Sequence, residues 1–170
     1  RILMIERTGF GKSLCYQFPA TQFDGVTIVF SPLIALMRDQ VRILCQKGIP
    51  AAYINSEQTK EENQEAIRRA LNNEIKILYI APERQEDDKW IEVAQNIKKS
   101  MVVIDEAHTI STWGHDFRPS YRQIYEMIGR IPKRPVVTAF TATATPSVKE
   151  DIRASKSSFS VQHKVFKVSH

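Results

Sequence analysis

The sequence has no apolar run long enough to cross a bilayer, since a membrane-spanning helix needs about 20 such residues. It also lacks the pattern of a secretory signal peptide. Cysteine is scarce. Cys15 and Cys45, both in apolar helical contexts, cannot supply a four-ligand zinc site or a disulfide framework by themselves. We therefore predict no zinc in this chain and a reducing intracellular compartment, cytoplasmic or nuclear, without membrane attachment.

Acidic residues are absent from residues 153–170, where helical spacing is also weak. We therefore expect one domain over residues 1–152, followed by an edge of that domain or a linker over residues 153–170. The 170 residues have a net charge of +5, and their hydrophobic content of 42% is ordinary for a globular domain. The positive charge fits nucleic acid as a partner and fits a lysine-rich, hydrated surface equally well.

Short and almost uniformly apolar runs recur along the chain, which is typical of strands buried on both faces. The predicted strands are residues 2–5, 26–30, 51–54, 77–80, 101–104 and 136–140. Three helices are predicted between them: one that buries Leu33, Met37, Val41, Leu44 and Cys45, one over residues 61–71 that buries Ala66, Ile67, Ala70 and Leu71, and one over residues 121–131. The alternation predicts an α/β fold with a mostly parallel sheet and helices on both faces.

Small, polar and acidic residues directly follow the predicted strands, whereas nothing comparable precedes them. These residues are 8–13, 31–33, 55–56, 81–84, 105–108 and 141–143. In a parallel sheet the carboxyl ends of the strands meet at one edge, and ligands bind there. The sequence therefore predicts a functional site at this edge of the sheet.

A phosphate-binding loop is predicted from Thr8, Gly9, Phe10, Gly11, Lys12 and Ser13. The two glycines allow a tight turn that aims backbone N–H groups inward, and the helix that follows adds its positive dipole end. Lys12 can then reach the terminal phosphates of a nucleotide, and the Ser13 hydroxyl can bind Mg²⁺. The stricter motif begins with glycine where this chain has Glu6, but the tight wrapping depends on the two later glycines.

Asp105 and Glu106 follow a buried strand and complete such a site. Asp105 can hold Mg²⁺ partly through water, and Glu106 can orient or deprotonate an attacking water. A strand that ends in a solvated acidic turn is the common alternative, but the phosphate loop upstream in the same strand–helix series favours a nucleotide site. We predict Lys12, Asp105 and Glu106 as the catalytic residues.

These motifs, in this order, resemble those of the RecQ DNA helicases of superfamily 2. The phosphate loop resembles motif I, in which the first position is often not glycine, and Asp105-Glu106-Ala107-His108 resembles the DEAH form of motif II. SPLIALMRDQV (residues 31–41) resembles motif Ia, YIAPER (79–84) motif Ib and TAT (141–143) motif III, while ISTWGHDFRPSY (110–121) resembles the aromatic-rich loop of RecQ helicases. The resemblance covers residues 1–152.

The resemblance implies the first of two RecA-like lobes, of the P-loop NTPase class, in an enzyme that unwinds DNA from 3′ to 5′ with ATP and Mg²⁺. The implied partners are single-stranded and tailed duplex DNA and the second RecA-like lobe of the same natural protein. Because the arginine finger of the family lies in that second lobe, we expect these 170 residues alone to hydrolyse ATP very poorly and to unwind nothing.

DNA binding and coupling are expected from Ser31, Asn55, Arg84, Trp113, His115, Phe117, Arg118, Thr141 and Thr143. Bases of single-stranded DNA stack on rings such as Trp113 and Phe117, at about 1–3 kcal/mol per base, and Arg118 can meet a phosphate. The family motif places His108 at the nucleotide site with a link toward Thr141 and Thr143. Ser31, Asn55 and Arg84 fit equally well as helix caps or turn residues.

Two other functions remain open at the level of the sequence. A DNA-binding module could use ATP as a clamp or switch without unwinding, although the intact Glu106 argues against an inactive ATPase. An RNA helicase would share motifs I and II, but the aromatic-rich loop argues against it.

Overall fold

The computed structural model describes residues 2–5, 11–86, 88–110, 123–124, 127–128, 135–141 and 164–167. Within these residues, seven strands form one sheet in the order β3-β4-β2-β5-β6-β1-β7, and every pairing is parallel. The strands are β1 (Ile2–Ile5), β2 (Val26–Phe30), β3 (Ala51–Ile54), β4 (Ile77–Ile80), β5 (Lys99–Ile104), β6 (Val136–Thr141) and β7 (Lys164–Lys167). The predicted α/β class with a parallel sheet is confirmed.

In the described part of the chain, the α-helices between the strands include α1 (Leu14–Gln22), α2 (Ile34–Gln46), α3 (Lys60–Leu71) and α4 (Asp88–Asn96). Short 3-10 helices cover Pro82–Glu86 and Ala107–Ile110. Helix α4 and strand β7 were not predicted from the sequence. Of the third predicted helix, residues 123–124 and 127–128 are helical, and the remainder lies outside the described residues.

The apolar strands are buried on both faces because each face packs against its own helices. On one face Val29, Tyr79 and Val103 contact a core that includes Tyr16 of α1 and Met37 of α2. On the opposite face Ile28, Leu78 and Val102 pack with Ala70 of α3 and Trp90 of α4. Alternate residues of one strand therefore enter different cores, so an uninterrupted apolar run is required.

Some predicted core positions are wrong. Leu33, Cys45 and Leu71 are exposed. Only Met37 and Leu44 of α2 are buried, because its contact stripe is narrow and Cys45 is rotated by about 100° from Leu44. Leu33 precedes α2 as its N-cap residue. No described helix is both long and apolar enough to traverse a membrane.

Helix boundaries follow from local chemistry. At the start of α3, the Thr59 hydroxyl accepts the Glu62 N–H at 3.1 Å and the Glu62 carboxylate accepts the Thr59 N–H at 2.8 Å, which is a capping box. At the end of α2, Gly48 adopts a φ of +75° and the Ile49 N–H donates to the Leu44 carbonyl at 3.0 Å.

We predict that two glycine replacements differ sharply in cost. A Cβ at Gly25, where φ is +141°, would lie 2.7 Å from the Lys98 carbonyl oxygen, whereas one at Gly48 would meet nothing within 4 Å. Gly25→Ala should therefore lower the free energy of unfolding by about 3 kcal/mol, and Gly48→Ala by about 1 kcal/mol from backbone strain alone. Urea denaturation of both variants measures the difference, and equal losses would contradict the close approach at Gly25.

Candidate active site

Gly11, Lys12 and Ser13 directly precede α1, and Ser13 is its N-cap residue. Gly11 has a φ of +75°, a conformation that glycine adopts without a steric penalty, so the chain can turn directly into the helix. The Leu14 N–H donates to the Gly11 carbonyl at 2.9 Å and the Gln17 N–H to the Ser13 carbonyl at 2.8 Å. The Ser13 side chain makes no capping hydrogen bond. Thr8, Gly9 and Phe10 lie outside the described residues.

The acidic pair Asp105 and Glu106 lies just beyond β5. The Asp105 N–H donates to the Phe30 carbonyl at 2.9 Å, which continues the hydrogen bonding between β5 and β2 by one residue. Glu106 then adopts a φ of +48°, an uncommon conformation for a non-glycine residue, and its N–H donates to Asp105 Oδ1 at 3.0 Å. The two neighbouring carboxylates have different partners: Asp105 Oδ2 accepts from the Ser31 hydroxyl, and Glu106 Oε1 contacts Lys12.

Lys12 and Glu106 come together although 94 positions separate them in the sequence. Lys12 Nζ lies 3.3 Å from Glu106 Oε1, and the two side chains are only 11% and 17% exposed. Partial burial shields this ion pair from water and strengthens its Coulomb attraction relative to a surface pair. The structure therefore brings the end of the predicted phosphate loop to the acidic pair.

Asp105 is buried, and its surroundings favour the neutral carboxyl group. Burial raises the pKa of Asp105 above its ordinary value, and the neighbouring charge of Glu106 raises it further, whereas Lys12 and the two hydrogen bonds to Asp105 act in the opposite direction. One of these bonds comes from the Ser31 hydroxyl, which donates to Asp105 Oδ2 at 3.4 Å. Ser31, predicted to contact DNA, is thus buried beside the acidic pair.

His108 lies between Glu106 and the end of β6. Its Nδ1 is 3.2 Å from Glu106 Oε2 and 3.1 Å from Thr141 Oγ1. A lone pair on Nδ1 would face the carboxylate unfavourably, so the geometry favours a hydrogen on Nδ1. His108 thus contacts Thr141, and Glu106 contacts Lys12 through one oxygen and His108 through the other.

The remaining predicted site residues divide into two groups. Asn55 is fully buried after β3, and its Oδ1 accepts the N–H groups of Glu57 and Gln58, both at 3.0 Å, so this oxygen has the role of a turn residue. Arg84 lies in the 3-10 helix after β4. Contact of Ser31, Asn55 and Arg84 with DNA stays a prediction. Outside the described residues lie Trp113, His115, Phe117, Arg118 and Thr143.

Sequence reasoning missed a polar cluster next to this site, formed by the buried Tyr16, Gln17 and Tyr79 and the half-buried Gln40. Tyr79 stands inside an apolar strand, and Gln17 stands next to the buried Tyr16. A buried tyrosine hydroxyl needs a hydrogen-bond partner, so the position of Tyr79 was the available signal. Among the described residues, no group of three or more His, Cys, Asp or Glu side chains is placed to hold a metal ion.

A family model described as DEAD/DEAH box helicase matches residues 1–152. The chain is 52% identical over 148 residues to the ATP-dependent DNA helicase RecQ of Bacillus subtilis (strain 168), a match that covers 87% of this chain and 25% of the relative. It is 47% identical over 150 residues to the protein of the same name from Pasteurella multocida (strain Pm70), covering 88% of this chain and 24% of the relative. The chain thus spans about a quarter of the length of these curated relatives.

The fold resembles that of a solved helicase domain. The crystal structure of the Pyrococcus furiosus Hef helicase domain superimposes with a TM-score of 0.72, covering 97% of this chain and 34% of that chain. At 21% sequence identity, this likeness shows the fold alone.

We predict that Asp105→Asn makes the protein more stable at neutral pH. The raised pKa means that the folded state holds the Asp105 proton more tightly than the unfolded state does. The contribution of Asp105 to stability is therefore complete below the unfolded pKa of about 4 and is lost as the pH rises through the folded pKa. Thermal unfolding should show a higher Tm for Asp105→Asn at neutral pH, with the gain disappearing toward pH 4.

Asp39→Asn is the matched control, because Asp39 is an exposed aspartate of α2. This variant should show no comparable gain in Tm. A lower Tm of Asp105→Asn at neutral pH would contradict the destabilising burial of the Asp105 charge.

Proposed function

The chain belongs to the DEAD/DEAH box helicase family, and from this premise we propose that it is the ATP-hydrolysing motor lobe of a RecQ-type DNA helicase. The observation that supports the proposal most strongly is the contact between Lys12 and Glu106. This contact joins the residue before the N-cap of α1 to the acidic pair after β5. One site therefore has both a phosphate-binding cation and a carboxylate that can act on water. Residues 1–152 would form this lobe.

ATP binds, in this proposal, at the beginning of α1. Gly11 provides the turn, and the positive end of the α1 dipole faces the phosphates. Lys12 exchanges its contact with Glu106 for the terminal phosphates, and this exchange releases the Glu106 carboxylate for chemistry. Thr8, Gly9 and Phe10 would complete the loop around the phosphates.

The donor set fits Mg²⁺, which prefers oxygen ligands and is bound by one or two carboxylates together with substrate phosphates and water. Asp105 offers a buried carboxylate whose charged form is destabilised by desolvation. The Ser13 hydroxyl makes no helix-capping hydrogen bond. Asp105, partly through water, and Ser13 would hold the ion. When bound, Mg²⁺ would neutralise charge that develops on the phosphates.

Glu106 acts as the base that orients or deprotonates the attacking water. Glu106 Oε1 contacts Lys12, whereas Asp105 Oδ2 accepts a hydrogen bond from the Ser31 hydroxyl. Asp105 and Glu106 can therefore perform different tasks although they are adjacent in the sequence.

DNA would be sensed by Trp113, Phe117 and Arg118, through stacking on bases and contact with phosphate. This segment follows the 3-10 helix that contains His108, and His108 contacts both Glu106 and Thr141. A shift of this segment would move His108 and alter the surroundings of Glu106. Ser31, Asn55, Arg84, His115 and Thr143 are proposed to contribute to the same DNA-binding and coupling surface.

The relatives named above are ATP-dependent DNA helicases, and this chain spans about a quarter of their length. We propose that the full natural protein adds a second RecA-like lobe and works inside the cell on single-stranded and tailed duplex DNA, which it unwinds from 3′ to 5′. A strand-displacement assay on a duplex with a 3′ tail tests this, and ATP hydrolysis without displacement would favour an ATP-dependent clamp.

Two substitutions in the full natural protein separate binding from turnover. Lys12→Ala should abolish ATP hydrolysis because it removes the cation that meets the phosphates. Glu106→Gln should retain ATP binding but lower kcat by about 10²–10⁴-fold, because the amide cannot accept the proton from water. Steady-state ATPase assays and calorimetric ATP titrations measure the two effects.

Lys47→Ala is the control for Lys12→Ala, because Lys47 is an exposed lysine at the end of α2. It should leave hydrolysis unchanged. A Glu106→Gln variant that turns over ATP at the wild-type rate would exclude Glu106 as the base.

Trp113→Ala in the full natural protein should spare basal ATP hydrolysis and lose the stimulation by single-stranded DNA, because its ring would no longer stack on a base. ATPase rates with and without DNA measure the change, and RNA of the same sequence provides the comparison. Stimulation that persists in Trp113→Ala would contradict the sensing role, and stronger stimulation by RNA than by DNA would favour an RNA helicase.

A further inference from the structure

Hydrogen bonds between buried and half-buried side chains connect α1, α2 and β4 beside the proposed nucleotide site. Gln17 Nε2 donates to Gln40 Oε1 at 2.6 Å and to the Tyr79 hydroxyl at 2.9 Å. The Tyr79 hydroxyl lies 3.3 Å from the Tyr16 hydroxyl. We call these four residues the glutamine–tyrosine cluster. Gln17 is its centre, because its single amide nitrogen contacts two other elements.

The geometry of this cluster constrains how α1 can move. Both N–H groups of the Gln17 amide have an acceptor, so a shift of α1 alone would leave a buried donor unpaired. Hydrogen bonds are directional, whereas the apolar contacts around them permit sliding. Burial raises the pKa of both the Tyr16 and the Tyr79 hydroxyl, so both stay neutral and able to donate.

The three connected elements lead to different parts of the proposed site. Gln17 lies one helical turn after Ser13, to whose carbonyl its N–H donates, so it moves with the phosphate loop. Helix α2 follows Ser31, and β4 leads directly to the segment that contains Arg84. The cluster therefore joins α1, which follows Lys12 and Ser13, to α2 and β4. Helix α2 follows the proposed DNA contact Ser31, and β4 precedes the proposed DNA contact Arg84.

We propose that Gln17 is a positioning residue that couples nucleic-acid binding at α2 and β4 to nucleotide binding at the start of α1. This inference rests on the proposed function. DNA that displaces α2 or β4 would move Gln17 through these hydrogen bonds. Lys12 and Ser13 would move with Gln17, which would change the geometry of the nucleotide site. Coupling between two binding sites is reciprocal, so nucleotide would change the affinity for DNA by the same factor.

The test is the affinity of the full natural protein for a non-hydrolysable ATP analogue, measured with and without a single-stranded DNA oligonucleotide. We expect DNA to change this affinity by at least about fivefold in the wild type and by less than about twofold in Gln17→Met. Methionine keeps an unbranched side chain of similar length and favours helix, but it donates no hydrogen bond. Analogue affinity without DNA should stay within about twofold of wild type, because Gln17 itself is not proposed to touch nucleotide.

Gln22→Met is the matched control, because Gln22 is an exposed glutamine of the same helix. In this variant DNA should change the analogue affinity by the same factor as in the wild type, which we call the coupling factor. Gln40→Met removes the same hydrogen bond from α2 and should reproduce the loss, and the double variant should lose no more than either single variant. If Gln17→Met does not fold, Gln40→Met serves as the test.

A wild-type coupling factor in Gln17→Met or in Gln40→Met overturns the inference. A fall in analogue affinity without DNA, with the coupling factor unchanged, also overturns it, since Gln17 would then only support the fold. Failure of the proposed function gives a different result, because the wild type itself would not bind the analogue.

Discussion

Parallel strand direction is the constraint on which the rest of the structure depends. In the order β2-β5-β6-β1, neighbouring strands all end at the same edge of the sheet. Ser31 follows β2, Asp105 follows β5, Thr141 ends β6, and the loop after β1 leads to Lys12. Residues that are far apart in sequence therefore become neighbours, and the contacts of Ser31 with Asp105, Lys12 with Glu106 and His108 with Thr141 follow from this arrangement.

Two acidic residues at this edge of the sheet reduce the stability of the fold. The charge of Asp105 is unfavourable in its buried position, and Glu106 occupies an uncommon backbone conformation. Burial of the apolar cores on both faces of the sheet offsets this loss of stability. Glu106 is the point where the parts meet, because one of its oxygens contacts Lys12 and the other contacts His108.

Much of the fold could be predicted because buried parallel strands leave a local signal, a short apolar run followed by polar residues. Strands β1 to β4 agree with the predicted bounds, and β5 and β6 extend beyond them by one or two residues. Helix α4 left a weaker local signal and was not predicted. Trp90 and Ala94 have helical spacing, but the helix is short. Contacts of Ser31 and Gln17 could not be predicted, because a serine or glutamine alone does not reveal whether tertiary packing buries it. The motifs indicated the candidate site, whereas its hydrogen-bond partners emerged only from the structure.

The most direct test of the account is a crystal structure of the protein with a non-hydrolysable ATP analogue and Mn²⁺ in place of Mg²⁺. Anomalous scattering locates the manganese ion independently of the refined coordinates. The account predicts that the ion lies beside Ser13 and Asp105, that the terminal phosphates contact Lys12, and that Lys12 has left Glu106. Nucleotide bound away from the beginning of α1, or a manganese ion distant from Asp105, would contradict it.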